Sequence, residues 1–407
     1  MTSREGPRVV VVVGGGLVGS SAAYQVACQG GEAILVDRRD QGQATAAGAG
    51  ILSPGSRFEG GDADLLGLVR VSVAWYPELL ARLAEDGEVH TGYEAVGALH
   101  VATTEQEVDR LADLLAELRQ RRERGFSHVG HAELVDARTA RAGFPALGPV
   151  RAAIHIPGAA RVDGRLLRDA LHRALRRRGG TTLQGGAELL LDPERERVTG
   201  VTVGDRTLSA DAVIVAGGAW SGALADRLGV SLPVAPQRGQ IAHLALPGVA
   251  TGAWPIVLGF HSHYLLTFPP NRVVAGATRE HGTGYDHRVT AAGMHEVLGE
   301  ALRVAPGLNA ATVEEVRVGF RPASPDGSPI LGRAPGIRGL FFATGHGPYG
   351  LQVGPWSGAA VADLALGRPV PLDLGAFSVG RFHPGGRGGG VTSSRWNRGG
   401  SPPAPLR

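Results

Sequence analysis

The sequence predicts an α/β protein in which a domain with buried parallel strands is interleaved with a second domain built on a mixed sheet. Three observations predict this fold. A continuous apolar run, Val9–Val13, leads directly into a glycine-rich segment and a helix-like stretch. Two more runs of this kind return far along the chain, at Ala212–Ala216 and Leu340–Thr344, and each is closed by glycine. Amphipathic helical and hairpin-like patterns separate these runs and indicate a different layer of structure.

The first elements form a strand–turn–helix–strand unit. Val9–Val13 is apolar at every position, as expected of a strand that is buried on both faces of a sheet. Ser20–Gln29 is rich in small residues and indicates a helix, and Ala33–Val36 follows as a second strand that ends at Asp37. Such a unit is typical of a parallel sheet with helical crossovers.

The middle of the chain shows other periodicities. Gln106–Arg124 places its apolar residues on one side of a helix and its charges on the other. Val198–Val203 and Tyr264–Ala275 indicate strands of hairpins or of an antiparallel sheet. We assign the segments 8–90, 151–226 and 322–374 to the first domain and the segments 91–150 and 227–321 to the second.

A glycine fingerprint follows the first strand. Gly14, Gly16 and Gly19 have the spacing G-x-G-x-x-G, which permits a tight turn, close approach of a pyrophosphate, and close helix–strand packing, respectively. The pyrophosphate would face free N–H groups at the helix N-terminus. Asp37 can accept hydrogen bonds from ribose hydroxyls and would repel a 2′-phosphate. The fingerprint leaves NAD and FAD both open, and a glycine-rich packing turn is the structural alternative.

Composition excludes several classes of protein. The 407 residues are 43% hydrophobic and 19% charged, as expected of a globular protein with a sizeable core. The single cysteine, Cys28, excludes an intrachain disulfide and a cysteine metal cage. All 41 basic residues are arginine, which excludes a lysine Schiff base. The polar start and the lack of any apolar run of about 18 residues predict a cytoplasmic protein without a transmembrane segment.

The basic charge is concentrated at the C-terminal end. Residues 380–407 contain five arginines and no acid, are rich in Gly, Pro and Ser, and are predicted to be a disordered tail. The other residues have 36 arginines against 38 acidic residues, so charge gives no support for nucleic-acid binding by the folded body. The Gly-Gly-Arg-Gly-Gly run leaves an RNA-binding tail as the alternative to a functionally neutral extension.

Further motifs follow the fingerprint in order. They are Ala44–Gly50, A-V-I-V-A-G-G-A-W ending at Trp220, R-V-G-F-R-P beginning at Arg317, and G-H-G-P-Y-G beginning at Gly345. With the fingerprint, these segments resemble the D-amino-acid oxidase family of FAD enzymes, in the branch of glycine oxidase and the bacterial D-amino acid dehydrogenases. The resemblance covers about residues 8–370 and includes Arg238-Gly239-Gln240 and Gly276-Ala277-Thr278. It implies a Rossmann-like FAD-binding domain interleaved with a mixed-sheet substrate-binding domain.

The resemblance also implies non-covalent FAD. It assigns cofactor binding to five segments: Gly14, Gly16, Leu17, Val18 and Gly19; Asp37 and Arg38; Thr45, Ala46, Ala47 and Gly48; Gly217 and Gly218; and Gly345, Gly347, Gly350 and Leu351. The small residues 45–48 would let the backbone lie against the isoalloxazine, and the loop after Gly345 would stabilise charge on the reduced ring. Without the resemblance, the later glycine clusters indicate ordinary turns.

Three catalytic residues are implied in the same way. Arg321 of the G-F-R-P motif would bind the substrate carboxylate through two hydrogen bonds, and Tyr264 would bind the same carboxylate. His346 would shape the flavin environment rather than transfer a proton. From the residues alone, a surface ion-pair arginine and a structural tyrosine stay open. His261 and His263 would share a strand face, but no acid or cysteine pattern accompanies them, so we expect no metal.

The implied reaction is oxidation of the Cα–N bond of a small amino acid, which is glycine, a D-amino acid or an N-substituted relative. Hydride transfer to flavin N5 would give an imino acid and then a 2-oxo acid, and oxygen or a quinone-type acceptor would reoxidise the flavin. A 2-hydroxy acid substrate, a pathway-specific amine and non-catalytic FAD binding are the alternatives, and the oligomeric state stays open. Pro348 and Tyr349 replace the Arg-Asn usual in glycine oxidases, which argues against strict glycine specificity and predicts an aromatic wall from Tyr349.

Overall fold

The computed structural model describes residues 8–53, 63–192, 194, 196–226, 229–259 and 261–382. Its strands are, in chain order, β1 (Val9–Val13), β2 (Glu32–Asp37), β3 (Ile51–Leu52), β4 (Glu94–Ala95), β5 (Ala98–Ala102), β6 (Glu133–Asp136), β7 (Ala152–Ile156), β8 (Ala160–Arg161), β9 (Thr181–Gln184), β10 (Ala187–Asp192), β11 (Arg197–Val203), β12 (Arg206–Ser209), β13 (Ala212–Val215), β14 (Ala235–Ala245), β15 (Ile256–Leu258), β16 (Tyr264–Phe268), β17 (Arg272–Gly276), β18 (Thr312–Ala323), β19 (Ile330–Arg333) and β20 (Leu340–Thr344). Its α-helices are α1 (Leu17–Cys28), α2 (Ala44–Ala47), α3 (Ala63–Glu85), α4 (Glu105–Glu123), α5 (Ala137–Gly143), α6 (Gly164–Arg177), α7 (Ser221–Asp226), α8 (Ala291–Val304) and α9 (Gly350–Ala365).

The first sheet has six strands in the order β19-β20-β13-β1-β2-β9, and all neighbours are parallel except β19 and β20. The valines of β1 alternate between two cores. Val10 and Val12 pack with residues of α1 and α9, and Val9, Val11 and Val13 pack with residues of β10 and β11. Both faces of β1 are covered, and this explains why the run is apolar at every position.

The second sheet has eight strands in the order β18-β14-β17-β16-β15-β5-β7-β6, and only β15 and β5 are parallel neighbours. Residues of α8 cover one face and residues of α4 cover the other. A capping box starts α4, because Thr104 Oγ1 accepts from Glu107 N while Glu107 Oε2 accepts from Thr104 N. Two smaller sheets, β10-β11-β12 and β3-β8-β4, complete the strands.

The predicted α/β fold with interleaved domains is confirmed, but the domain boundary predicted at residue 151 is wrong. Strand β7, Ala152–Ile156, pairs with β5 and β6 in the second sheet, so this sheet continues past residue 151. The chain returns to the first sheet at β9.

The prediction that a disordered tail begins at Gly380 is wrong for its first three residues. Residues Val379–Phe382 form a 3₁₀-helix, and Arg381 Nε donates a hydrogen bond to Asp326 Oδ2 at 2.7 Å. The rest of the predicted tail, residues 383–407, lies outside the described residues. Among the described helices, none combines the length and the apolar character that crossing a membrane requires.

Candidate active site

The carboxyl ends of the parallel strands open into a cavity of about 450 Å³. Strand β1 lies between β13 and β2 in the sheet, and a change of strand order of this kind places a ligand crevice outside the carboxyl ends. One part of the cavity lies against the turn after β1 and the end of β2. Another part is lined by residues of β14, β16 and β18. Both domains therefore contribute to its walls.

The turn after β1 has the backbone geometry that glycine alone accommodates. Gly14 has φ +115°, and a Cβ there would overlap the carbonyl oxygen of Ala216. A Cβ at Gly19 would overlap the carbonyl of Gly14, so Gly19 serves helix–strand packing. Helix α1 begins at Leu17, whose N–H donates to Thr45 Oγ1 at 2.9 Å, and the other N–H groups of its first turn suit an anion.

The end of β2 supplies an acid to the same part of the cavity. Asp37 lines the cavity, and Gln43 Nε2 lies 3.2 Å from each of its carboxylate oxygens. A Cβ at Gly15 would lie 2.8 Å from Asp37 Oδ2, so the glycine turn passes directly over the carboxylate. Arg38 lines the cavity too, and its Nε lies 2.8 Å from the carboxylate of Asp40.

All the predicted cofactor residues except Gly19, Ala46 and Gly345 line this cavity. Ala46 contributes its carbonyl elsewhere, because that oxygen accepts a hydrogen bond from Arg165 Nε at 2.9 Å. Gly345 has φ +72° and packs against Ile330. These three residues do not line the cavity, and the cofactor-binding roles of all the predicted residues stay predictions.

Arg321 and Tyr264 both line the cavity from the second sheet. The guanidinium of Arg321 lies against Gly239, where a Cβ would overlap it, and Nη1 donates to Thr278 O at 3.0 Å. No carboxylate among the described residues is ion-paired with it. Burial lowers the pKa of Arg321, so an anion in the cavity would stabilise its charge. A Cβ at Gly276 would lie 2.6 Å from Tyr264 Oη, so Gly276 makes room for this hydroxyl.

His346 lies in the cavity wall as a neutral imidazole. It is 2% exposed, and burial lowers its pKa to about 4. Within the described residues, Nε2 of His346 is buried and has no hydrogen-bond partner. A neutral ring with an unpartnered nitrogen is available to a bound group.

Sequence reasoning missed Arg279, Trp220 and the segment 185–188, all of which line the cavity. Arg279 is exposed, and Nη1 donates to the carbonyl of Ser262 at 3.2 Å. Burial is the larger effect on both neighbours: it lowers the pKa of Arg321, which the charge of Arg279 lowers further, and it raises the pKa of Tyr264, which the same charge partly offsets. The signal for Arg279 was its position directly after Gly276-Ala277-Thr278.

The structure places Tyr349 and the pair His261 and His263 differently from what the sequence predicts. The aromatic wall expected from Tyr349 is wrong, because this side chain packs against the core of the first domain while Pro348 lines the cavity. His261 and His263 precede β16 and lie beside helix α8, where each faces a different glutamate, Glu300 or Glu296. In the described part of the chain, no group of three or more His, Cys, Asp or Glu side chains is arranged to hold a metal ion.

The fold and the cavity suit a dinucleotide-dependent enzyme, with one end of the cavity that suits an anionic group. The glycine turn and Asp37 suit a pyrophosphate and a ribose. Two guanidinium groups, Arg279 and Arg321, mark the part of the cavity that suits an anionic substrate.

Residues 9–364 match the sequence model of the family described as FAD dependent oxidoreductase, DAO. The chain belongs to this family and is an FAD-dependent enzyme of the amino acid oxidase and dehydrogenase class. The cavity fits FAD, since it joins a dinucleotide cradle to a wall of small residues and to the buried, unpartnered Nε2 of His346.

Several known proteins are similar to this chain over nearly their whole length. The uncharacterized oxidoreductase YurR of Bacillus subtilis (strain 168) is 40% identical over 368 residues, which are 90% of this chain and 97% of the relative. Glycine oxidase of Pseudomonas putida is 33% identical over 376 residues, or 91% of this chain and 97% of the relative. The crystal structure of iminodiacetate oxidase from Chelativorans sp. BNC1 is 42% identical, with a TM-score of 0.86, and the match covers 91% of this chain and 98% of that one.

Proposed function

We propose that this enzyme oxidises the C–N bond beside a carboxylate in an amino acid. Loss of the α-hydrogen converts the amine to an imine, and water then releases a 2-oxo acid and an amine or ammonia. Bound FAD would supply a two-electron acceptor for the α-hydrogen together with both electrons of the C–H bond. The observation that carries the proposal is Arg321, a cavity guanidinium with no carboxylate partner among the described residues.

The protein's part in this reaction is to position the substrate. Arg321 and Tyr264 hold the carboxylate and thereby fix the adjacent α-carbon. Burial raises the pKa of Tyr264, so its hydroxyl keeps its proton and donates a hydrogen bond. The α-hydrogen leaves as hydride, so the neutral amine reacts without a general base, and His346 stays uncharged in the wall.

Arg279 favours a substrate that has a second carboxylate. Its guanidinium lines the same cavity as Arg321, and no carboxylate among the described residues is ion-paired with it. Two arginines suit two carboxylates of one small molecule, as in an N-carboxymethyl amino acid. The similar iminodiacetate oxidase is named for such a substrate. Its oxidation would give glyoxylate and glycine.

An anaerobic titration tests the reaction. FAD-loaded protein is mixed with glycine, sarcosine, D-alanine, D-proline, iminodiacetate or a 2-hydroxy acid, and the absorbance of the oxidised flavin is followed. We expect bleaching by amines that have an α-carboxylate, with iminodiacetate effective at the lowest concentration. Bleaching by the 2-hydroxy acid alone, or by no compound, contradicts the proposal. Admitting oxygen, or a quinone in a parallel sample, then identifies the electron acceptor by the rate of recovery.

A substitution tests the second carboxylate separately. Arg279→Gln should raise the KM for iminodiacetate by about 10- to 150-fold, because a hydrogen bond to a charged group contributes about 1.5–3 kcal/mol. The KM for sarcosine, which has one carboxylate, should change little. Arg110→Gln is the control, since Arg110 is exposed on α4 and does not line the cavity. Equal effects on both substrates would contradict the assignment of Arg279.

A further inference from the structure

A partly buried polar network adjoins Arg321 through its neighbour Thr278. Arg238 on β14 is 5% exposed, and its Nη2 lies 2.5 Å from Glu280 Oε2. Its Nη1 lies 2.9 Å from Asp286 Oδ2. The other oxygen of Glu280, Oε1, accepts hydrogen bonds from Gln240 Nε2 at 2.7 Å and from Thr278 Oγ1 at 2.8 Å. Both oxygens of Glu280 are therefore occupied within the protein.

Thr278 connects this network to the cavity. It is fully buried, and its hydroxyl accepts from Gln240 N at 3.0 Å while it donates to Glu280. Its carbonyl accepts the hydrogen bond from Arg321 Nη1 at 3.0 Å. Because the hydroxyl fixes Thr278 and the carbonyl holds the guanidinium, a displacement of Thr278 moves Arg321.

The network also fixes the segment that carries Arg279. Arg238 and Glu280 exchange two backbone hydrogen bonds of 2.9 Å, so residues 278–280 extend the antiparallel pairing with β14. Side chains alternate along extended backbone, and Thr278 and Glu280 meet the network while Arg279 lines the cavity. The ion pair between Arg238 and Glu280 thus anchors the backbone that lies beside the guanidinium groups of Arg279 and Arg321.

We propose that Glu280 is a positioning residue, which fixes Thr278 and through it the carboxylate-binding geometry of Arg321. This inference rests on the proposed function, in which Arg321 holds the substrate carboxylate. Burial raises the pKa of Glu280, but hydrogen bonds from Arg238, Gln240 and Thr278 outweigh that effect and keep the pKa below its usual range. Glu280 is therefore an anion at neutral pH, and its charge compensates the buried Arg238.

The probe for this proposal is diglycolate, the ether analogue of iminodiacetate, which has no C–N bond to oxidise. Its Kd is measured with FAD-loaded protein from the change in the flavin spectrum and by calorimetry. Glu280→Gln keeps the side-chain size but puts an amide where Arg238 needs a carboxylate. We expect the diglycolate Kd of this variant to rise about 10-fold, which corresponds to a coupling free energy within the range for residues in direct contact. The same rise should appear in the KM of the oxidised amine, while kcat changes less.

Three single variants and one double variant separate positioning from a general loss of structure. Thr278→Val removes the hydroxyl that binds Glu280 and should match Glu280→Gln, whereas Thr278→Ser keeps it and should restore wild-type binding. Asp286→Asn is the matched control, because it removes the other carboxylate of Arg238 without touching Thr278. In an Arg321→Lys background, Glu280→Gln should change the Kd by no more than about twofold, since its effect passes through the guanidinium.

The outcomes distinguish this inference from the proposed function. The positioning role is overturned if Glu280→Gln leaves the diglycolate Kd unchanged. It is also overturned if the fold-changes in Kd caused by Glu280→Gln and by Arg321→Lys simply multiply in the double variant. Either result leaves the proposed reaction standing. An equal loss of binding in Asp286→Asn would overturn the positioning role too. If diglycolate binds but no amine bleaches the flavin, the proposed function fails while the positioning role is still decided by the Kd values. Thermal melting and FAD content identify any variant that fails to fold. If Glu280→Gln is such a variant, the diglycolate Kd of Thr278→Ser compared with that of Thr278→Val decides whether Glu280 acts through the Thr278 hydroxyl.

Discussion

Arg321→Lys removes the planar guanidinium from the cavity while it keeps a positive charge on β18. In the wild type, Nη1 is committed to Thr278 O at 3.0 Å and the guanidinium lies against Gly239, which leaves Nη2 and Nε for a substrate. Lysine supplies a point charge without this paired geometry. Loss of one hydrogen bond to a charged group costs about 1.5–3 kcal/mol, so the Kd should rise by about 10- to 150-fold.

The assay is the Kd of diglycolate and the KM of the oxidised amine, measured on FAD-loaded protein. Arg333→Lys is the control, because Arg333 is exposed at the end of β19 and does not line the cavity. The flavin spectrum without ligand and the melting temperature should stay at wild-type values in both variants. A change in Kd of less than about twofold in Arg321→Lys would refute the assignment of this arginine as the carboxylate ligand.

Other parts of the cavity should respond differently. Gly276→Ala places a Cβ 2.6 Å from Tyr264 Oη and displaces this hydroxyl. Loss of its hydrogen bond to a charged carboxylate costs about 1.5–3 kcal/mol, so diglycolate should bind about 10- to 150-fold more weakly with FAD binding unchanged. Asp37→Ala should weaken FAD binding by about 10- to 150-fold in equilibrium fluorescence titrations. His346 has its pKa lowered to about 4 by burial, so the unfolded chain takes up a proton first as the pH falls. Because of this residue alone, the free energy of unfolding should fall by ~2 kcal/mol when the pH is lowered from about 7 to about 5. His346→Gln should remove that part of the pH dependence in urea titrations.

Each of these expectations has a contrary result. Weaker FAD binding in Gly276→Ala would mean that Tyr264 serves the cofactor rather than the substrate. Unchanged FAD affinity in Asp37→Ala would remove the ribose role of this acid. His243 also has its pKa lowered to about 4 by burial and stays in both proteins, so an unchanged pH dependence in His346→Gln would show that His346 is not held neutral by burial.

The first domain could be predicted from the sequence because its signals are local. The five valines of β1, the glycine turn and the acid at the end of β2 all lie within residues 9–37, and each has a distinct physical requirement. The helix was expected from Ser20 and begins at Leu17, because the glycine turn itself passes into its first turn. The fingerprint already predicts helix–strand packing for Gly19, and the structure shows the contact, since a Cβ there would overlap the carbonyl of Gly14.

The second domain depends on contacts between distant segments, which the sequence pattern does not reveal. Strand β7 has the sequence Ala-Ala-Ile-His-Ile, and only its pairing with β5 and β6 assigns it to the second sheet. Arg279 faces the cavity because residues 278–280 pair with β14. The wrong expectation for Tyr349 has the same origin, since the direction of this side chain depends on packing against the core of the first domain.

The most direct test of the proposed reaction is a single turnover of FAD-loaded protein with iminodiacetate in the absence of oxygen. Flavin absorbance and products are measured in the same sample after quenching. The proposed chemistry predicts complete bleaching with one glyoxylate and one glycine formed for each flavin reduced. Bleaching without a 2-oxo acid, or a flavin that stays oxidised with iminodiacetate and with every other amino acid tested, would contradict it.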